Sequence, residues 1–262
     1  MKKTSKKEIY NQYGIEFENG KIYHEKFGWI NPLLIDGNSK LGKGVWTFST
    51  LPGNMIYHIE YKGMSFDVKG TCACNCKGCY AQTGFFRMKS TINSLAIKTW
   101  LVWNDIEFVK NAIKAQIKAD NIKLSRIHAS GDFASMEYVK AWQEIVKVCD
   151  ECVFWTYTKV KEYETMFDNI ANINIVKSCI PGFGFNYGHC DYILKVYKAL
   201  KDIGKNVYIC RCGIDANQHC TNCKGCSKNE YVLFIEHSTS YKAENDQLFP
   251  ELKKLIESQS AQ

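Results

Sequence analysis

Cysteines are the residues of this chain whose number and spacing most clearly suggest chemistry. The chain has 13 of them in 262 residues. A first cysteine group, residues 71–82, places four within eight positions: Cys72, Cys74, Cys76 and Cys79. A second cysteine group, residues 210–228, contains Cys210, Cys212, Cys220, Cys223 and Cys226. Thiolates this close together are typical ligands of zinc or of iron–sulfur clusters, so the sequence predicts metal centres.

The rest of the composition indicates the compartment in which these thiols work. Residues 1–14 are basic and no apolar run follows them, which is unlike a secretory signal. The sequence has no apolar stretch of the length that crosses a membrane. We therefore expect a cytoplasmic protein with no membrane partner. Disulfides are rare in that reducing compartment, which again favours metal ligation.

The charge of the chain says less about its partners. The formal net charge is +7, but the lysines are scattered along the sequence, and thiolates on a metal are missing from the count. A solvated, lysine-rich surface explains this pattern, while nucleic acid stays a candidate partner.

Six predicted strands have to position the cysteines, and helical patterns separate most of these strands. The strands are residues 65–70, 124–129, 153–158, 173–178, 206–210 and 231–237. Among the helices between them, one is capped by Asp105, one is capped by Ser135 and one stops at Gly204. This alternation predicts an α/β fold with a parallel sheet, either open or closed into a barrel. Residues before 65 read as β-rich, with a hairpin predicted across residues 51–54.

Polar residues follow the predicted strands, where parallel strands end at one common edge, here called the carboxyl edge. His128 and Asp132 follow the second strand, Tyr157 and Lys159 end the third, and Ser178 ends the fourth. Ligands and catalytic groups collect at this edge in α/β proteins. We therefore predict one site there, with Asp132, His128, Tyr157 and Lys159 as candidate catalytic residues.

The first cysteine group resembles the motif of the radical S-adenosylmethionine (SAM) enzymes. If Cys74 is skipped, Cys72, Cys76 and Cys79 have the C-x3-C-x2-C spacing of that family. The resemblance implies that these cysteines bind three irons of a [4Fe-4S] cluster and that the fourth iron stays open for SAM. It further implies a partial (β/α)6 barrel and a reductant such as flavodoxin or ferredoxin. The substrate, a small molecule or a macromolecule, is not implied.

A second part of the radical SAM resemblance is a turn after the second strand. That family carries a Gly-Gly-Glu-Pro-like turn there, which contacts the SAM amino group, and the residues in its place here are Ser130, Gly131 and Asp132. The resemblance implies that these three, with Tyr80 and Ser178, bind the cofactor. The sequence departs from the family in having one glycine and no proline in the turn. It also has a glycine at position 78, where the family usually has an aromatic residue, and the additional Cys74.

Alternatives to a radical SAM enzyme stay open on the residues alone. A cluster bound by all four cysteines of the first group would be closed, and would serve structure or electron transfer. A zinc-stapled, nucleic-acid-binding protein of phage type is a further alternative.

The second cysteine group predicts a further metal centre. Its ligands are predicted to be Cys212, Cys220, Cys223 and Cys226, and the metal is either an auxiliary [4Fe-4S] cluster or a structural zinc. We divide the chain into an N-terminal extension (1–64), a (β/α)6-type barrel (65–237) with the cysteine-rich insertion at 210–228, and a C-terminal tail with a helix (238–262).

A broader resemblance covers most of residues 70–237. The stretches RIHASGDFASMEYVKAWQEIV and FWTYTK, followed by the second cysteine group, resemble a family of phage-encoded, cysteine-rich proteins. This resemblance implies a phage or bacterial origin and no particular activity.

Overall fold

The computed structural model describes residues 4–37, 41–73, 79–211, 219–223, 225–236 and 243–259. Their α-helices are α1 Lys6–Gln12, α2 Lys89–Asn104, α3 Ile106–Asp120, α4 Met136–Val148, α5 Lys161–Glu164, α6 Cys190–Asp202, α7 Cys220–Cys223 and α8 Phe249–Ser258. Their strands are β1 Phe17–Glu18, β2 Lys21–His24, β3 Gly28–Ile30, β4 Ile35–Asp36, β5 Val45–Phe48, β6 Ile56–Tyr61, β7 Met64–Lys69, β8 Leu124–Ile127, β9 Val153–Thr158, β10 Ile173–Lys177, β11 Cys179–Ile180, β12 Gly184–Phe185, β13 Tyr187–Gly188, β14 Val207–Ile209 and β15 Tyr231–Ile235.

The main sheet has five strands in the order β10-β9-β8-β5-β4. Strands β5, β8, β9 and β10 run parallel, and β4 is antiparallel to β5. The register pairs Phe48 with Ile127 and Ile127 with Thr156. The four parallel strands therefore end at the same carboxyl edge.

A smaller sheet continues from the end of β10. It has the order β13-β15-β14, with all pairs parallel. The Lys177 N–H donates to the Glu230 carbonyl (3.0 Å), which brings β15 beside β10. The sheets of the described residues are small and none closes into a barrel, so the predicted barrel stays a prediction.

The first strand of the parallel sheet is Val45–Phe48, and the prediction of residues 65–70 for this position is wrong. Residues 64–69 instead form an antiparallel hairpin with Ile56–Tyr61, closed by Lys62 and Gly63, which both have positive φ (49° and 77°). The hairpin predicted across residues 51–54 is also wrong, because Val45–Phe48 pairs with β8 and Ile56–Tyr61 pairs with β7. The period-2 alternation of β7 is that of a half-exposed hairpin, whereas β5 is almost fully buried, as parallel strands are.

Helices α2, α3 and α4 form the largest core, together with one face of the main sheet and the N-terminal elements. The predicted caps are confirmed: Asp105 accepts the N–H of Phe108 (3.0 Å), and Ser135 accepts that of Tyr138 (3.2 Å). Side chains from both sides of residue 64 share this core, so no break in packing marks the predicted domain boundary there. Helix α6 ends at Asp202, and Gly204 just after it adopts the left-handed conformation that stops the helix, as predicted.

Helix α6 belongs to a second core, which it forms with β14, β15 and α8.

Membrane-spanning helices were searched for within the described ranges. No helix there is both long and apolar enough to span a bilayer.

Candidate functional site

The loop after β8 is fastened to the loop after β5 at the carboxyl edge. The Ser130 hydroxyl donates to the Thr50 carbonyl (2.9 Å), and the Thr50 N–H donates to the Ser130 carbonyl (3.0 Å). Ser130 is buried as a result. This reciprocal pair fixes the Ser130–Asp132 turn where the parallel strands end.

The same turn holds the residue that precedes the first cysteine. The hydroxyls of Thr50 and Thr71 are 2.7 Å apart, and the Asp132 N–H donates to the Thr71 hydroxyl (3.1 Å). The next residue, Cys72, donates its N–H to the Gly53 carbonyl (3.0 Å). Cys72 and the Ser130–Asp132 turn are therefore neighbours, although these residues follow β7 and β8 and only β8 belongs to the main sheet.

Gly131 is required by the close approach of these loops. Its φ is +85°, a left-handed conformation that side chains disfavour. A Cβ at this position would overlap the Thr50 hydroxyl oxygen and would lie 2.6 Å from the Thr71 hydroxyl oxygen. The single glycine of the turn thus has a steric reason in this chain.

Asp132 is a buried acid at the carboxyl edge, with 7% of its surface exposed. Its carboxylate accepts the N–H groups of Phe133 (2.8 Å) and Lys159 (3.2 Å) and the hydroxyl of Thr158 (3.3 Å). Burial raises the pKa of the Asp132 carboxyl to about 6, and these hydrogen bonds oppose the rise. Asp132 therefore joins the ends of β8 and β9 and changes charge near neutral pH.

His128 is not brought to this site. It has φ of 61° and 3% exposure, and its ring lies among aromatic side chains, 4.9 Å from the ring centre of Phe133. Its Nε2 is 2.9 Å from the hydroxyl of Tyr138. Burial, with a contribution from Arg126, lowers the pKa of His128 to about 3, which keeps the imidazole neutral. The side chain packs the core beneath the carboxyl edge.

Lys159 and Ser178 lie at the ends of adjacent strands. The Lys159 ammonium is 4.3 Å from the ring centre of Phe185. Ser178 is buried, and its N–H lies 3.4 Å from the Thr158 carbonyl. Both positions agree with the predicted edge of the sheet.

Tyr157 lies elsewhere, on the sheet face that is turned toward the second cysteine group. The Arg126 guanidinium is 4.9 Å from its ring centre, and burial beside the Cys226 thiol raises the pKa of Tyr157 well above its usual value. The structure thus separates Tyr157 from Asp132, with which the sequence had grouped it.

Two cysteines of the first group lie near a tyrosine that sequence reasoning missed. Tyr57, on β6, donates its hydroxyl to the Pro52 carbonyl (2.7 Å). Burial raises the pKa of Tyr57, and the negative charges of the Cys72 and Cys79 thiolates raise it further. No motif in the sequence links residue 57 to the cysteines; only the hairpin brings it there.

Cys74 and Cys76 lie outside the described residues. Tyr80 begins a short 3₁₀ helix, Tyr80–Gln82, directly after Cys79.

The second cysteine group packs against the face of the main sheet that carries Trp155 and Tyr157, a placement that sequence reasoning missed. Cys220, Cys223 and Cys226 line a cavity together with Leu124 and Trp155, near the amino ends of β8 and β9. The Tyr208 hydroxyl is 3.2 Å from the Cys223 sulfur. The remaining predicted ligand, Cys212, lies outside the described residues. Within the described ranges, no three or more His, Cys, Asp or Glu side chains are arranged to hold a metal ion.

Comparison with known proteins gives one family. Residues 32–179 match the family model described as Gene product 88. A Gene 88 protein of Mycobacterium phage D29 is 28% identical over 131 residues, which are 45% of this chain and 54% of the relative. A Gene 88 protein of Mycobacterium phage L5 is 27% identical over 124 residues, which are 42% of this chain and 52% of the relative. The chain thus spans about half the length of the curated relatives it matches, and no solved structure matches.

The matched segment confirms the predicted resemblance to phage-encoded proteins. It contains the first cysteine group, the Ser130–Asp132 turn and Lys159. It ends before residue 210, where the second cysteine group begins.

Proposed function

We propose that this chain, which belongs to the Gene product 88 family, is a radical SAM-type [4Fe-4S] enzyme that reductively cleaves SAM to start radical chemistry on its substrate. The observation that carries the proposal is the contact between the residue before Cys72 and the Ser130–Asp132 turn. In the proposed enzyme these are the loops that hold the cluster and the SAM amino group.

The donor set fits an iron–sulfur cluster. Cys72, Cys76 and Cys79 would hold three irons, and soft thiolates are the ligands such clusters take. Cys72 is held at the carboxyl edge, since its N–H donates to the Gly53 carbonyl and its neighbour Thr71 contacts the Ser130–Asp132 turn. When bound, the cluster supplies the electron that cleaves SAM.

Asp132 and Lys159 supply opposite charges for the two ends of the methionyl group of SAM. The buried Asp132 carboxylate would pair with the SAM ammonium, since a charge pair is strong where water is scarce. The Lys159 ammonium would bind the carboxylate of SAM or an anionic group of the substrate. Ser178, at the end of β10, and Tyr80, directly after Cys79, would complete the proposed cofactor contacts.

Two further components belong to the proposal. The electron comes from a reductant such as flavodoxin or ferredoxin. The second cysteine group binds an auxiliary [4Fe-4S] cluster or a zinc ion through Cys212, Cys220, Cys223 and Cys226.

Anaerobic metal analysis with a SAM-cleavage assay tests the proposed function. We expect brown protein with roughly four to eight irons per chain, for one or two cubane clusters. On reduction with dithionite it should release methionine and 5′-deoxyadenosine from SAM. Colourless protein with zinc and no sulfide would contradict the proposal and favour the zinc-stapled alternative. Iron and sulfide without SAM cleavage would favour electron transfer by a closed cluster.

The pKa of Asp132 predicts how SAM binding depends on pH. The folded carboxyl is protonated below about pH 6 and ionised above it, so SAM affinity should rise as pH increases through about 6. The Asp132→Asn variant should bind SAM weakly and without this rise, as measured by calorimetry from pH 5 to 8.

Stability should show the opposite trend in the same pH range. The folded pKa of Asp132 lies above the ordinary 3.8, so the free energy of unfolding contributed by this group falls as pH rises from 3.8 to about 6.

The control for the SAM-binding experiment on Asp132→Asn is Asp168→Asn. This variant changes an exposed acid and should keep the wild-type dependence of SAM affinity on pH. A wild-type SAM affinity that is flat through pH 6 would exclude the proposed role of Asp132.

A further inference from the structure

Three side chains form an ordered stack at the carboxyl edge, here called the aromatic column: Lys159, Phe185 and Tyr187. The rings of Phe185 and Tyr187 are nearly parallel, with an angle of 8° and centres 5.9 Å apart. The Lys159 ammonium lies 4.3 Å from the Phe185 ring centre. Phe185 is 39% exposed and Tyr187 is 43% exposed.

The backbone beneath the column is rigidly held. Asn186, between the two rings, is buried; its side chain donates to the Val232 carbonyl (2.8 Å), and its carbonyl accepts the Phe234 N–H (2.8 Å). The Tyr192 hydroxyl lies 2.6 Å from the Phe185 carbonyl, to which it donates. The two rings are therefore presented to solvent by a fixed segment, which lowers the entropy cost of binding a ligand there.

The column adjoins the proposed active site. The Lys159 N–H that donates to Asp132 (3.2 Å) belongs to the same residue whose ammonium contacts Phe185. A ligand on the column would thus lie beside the loop that also contacts Thr71, the neighbour of Cys72.

We propose that the aromatic column binds a nucleobase of a single-stranded nucleic acid, which is the substrate of this enzyme. Every base has a flat π face that stacks on aromatic rings, and an adjacent ammonium attracts the phosphate. Only the assignment of this ligand as substrate rests on the proposed function; the binding itself does not.

Binding of the full chain to labelled 12-nucleotide single strands of DNA and RNA, followed by fluorescence anisotropy at 50 mM salt, tests this inference. Tyr187→Leu removes the ring and keeps an apolar side chain, and should weaken binding about tenfold or more. Tyr187→Phe keeps the ring and should bind within about twofold of wild type. Tyr23→Leu is the matched control, because Tyr23 is also 39% exposed and contacts another aromatic ring, that of Trp29. It should not change binding.

Several outcomes would overturn the inference. They are the absence of single-strand binding by wild type, equal binding by Tyr187→Leu, and equal loss in Tyr23→Leu. If Tyr187→Leu lost calorimetric SAM binding and kept oligonucleotide binding, the column would serve the adenine of SAM instead. If free AMP competed as well as the oligonucleotide, the ligand would be a mononucleotide. A wild type that binds the strands without cleaving SAM contradicts the proposed enzyme and leaves the column as a nucleic-acid site.

Discussion

Replacing Cys72 with alanine should abolish SAM cleavage and remove the iron of the first cluster, while metal at the second cysteine group remains. The Cys72 N–H donates to the Gly53 carbonyl, and its neighbour Thr71 contacts the Ser130–Asp132 turn, so Cys72 is the cluster ligand that the structure fixes at the carboxyl edge. A cluster held by only the two remaining thiolates, those of Cys76 and Cys79, would be lost from the protein. Iron, sulfide and methionine release, measured on anaerobic protein, give the result.

Two other cysteine variants separate the alternatives. Cys149→Ala is the control, because Cys149 caps the end of α4 and lies outside both cysteine groups. Cys74→Ala should leave SAM cleavage intact if Cys74 is a bystander. Loss of the first cluster in Cys74→Ala would instead support closed ligation by four cysteines. SAM cleavage by Cys72→Ala at the wild-type rate would refute the proposed ligand set.

Replacing Lys98 with methionine should raise the free energy of unfolding at pH 7 by about 2–3 kcal/mol. Lys98 is 4% exposed, and burial lowers its pKa to about 8. Its ammonium has a single weak contact in the described structure, 3.5 Å from the Leu33 carbonyl, besides the Phe48 ring at 5.8 Å. Methionine has a similar shape and carries no charge to desolvate, so it should fit this core. Urea unfolding measures the difference.

The pH dependence of that difference identifies its cause. At pH 7 Lys98 is charged in both folded and unfolded chains, so the folded state bears the full cost of desolvation. Between about pH 8 and 10.5 the folded side chain is neutral while the unfolded one is still charged, and the cost shrinks as pH rises. The advantage of Lys98→Met should therefore decline across this range.

Lys114→Met is the matched control for the Lys98 variant. Lys114 is also buried, at 8% exposed, but its ammonium lies 3.6 Å from the Glu144 carboxylate. Its replacement should give no comparable gain. Destabilisation by Lys98→Met would show that the Lys98 ammonium has a stabilising role.

Local signals in the sequence predicted the helices α3, α4 and α6 and the polar turn of the site. The caps Asp105 and Ser135, the stop at Gly204 and the buried stripes of α3 and α4 depend on contacts within one or two turns, which the sequence contains directly. The Ser130–Asp132 turn was predictable at the carboxyl edge because a polar stretch followed an apolar strand. The resemblance to phage proteins covered the same turn.

The tertiary structure alone decided which strands and side chains meet. The short apolar run of β5 and the alternating pattern of β7 each predict a strand, and only strand pairing showed that Val45–Phe48 is the one that joins the parallel sheet. The sequence grouped His128 and Tyr157 at one site because both lie near the ends of predicted strands. In the structure His128 lies in an aromatic core, and Tyr157 lies against the second cysteine group.

Pairing between distant segments is fixed by contacts far apart in sequence, and such contacts leave no local periodicity. This is why the sequence by itself determined the residue types of the site, namely thiols, a glycine-containing turn and an acid. The three-dimensional contacts of Thr50, Thr71 and Asp132 determined that Cys72 belongs beside that turn.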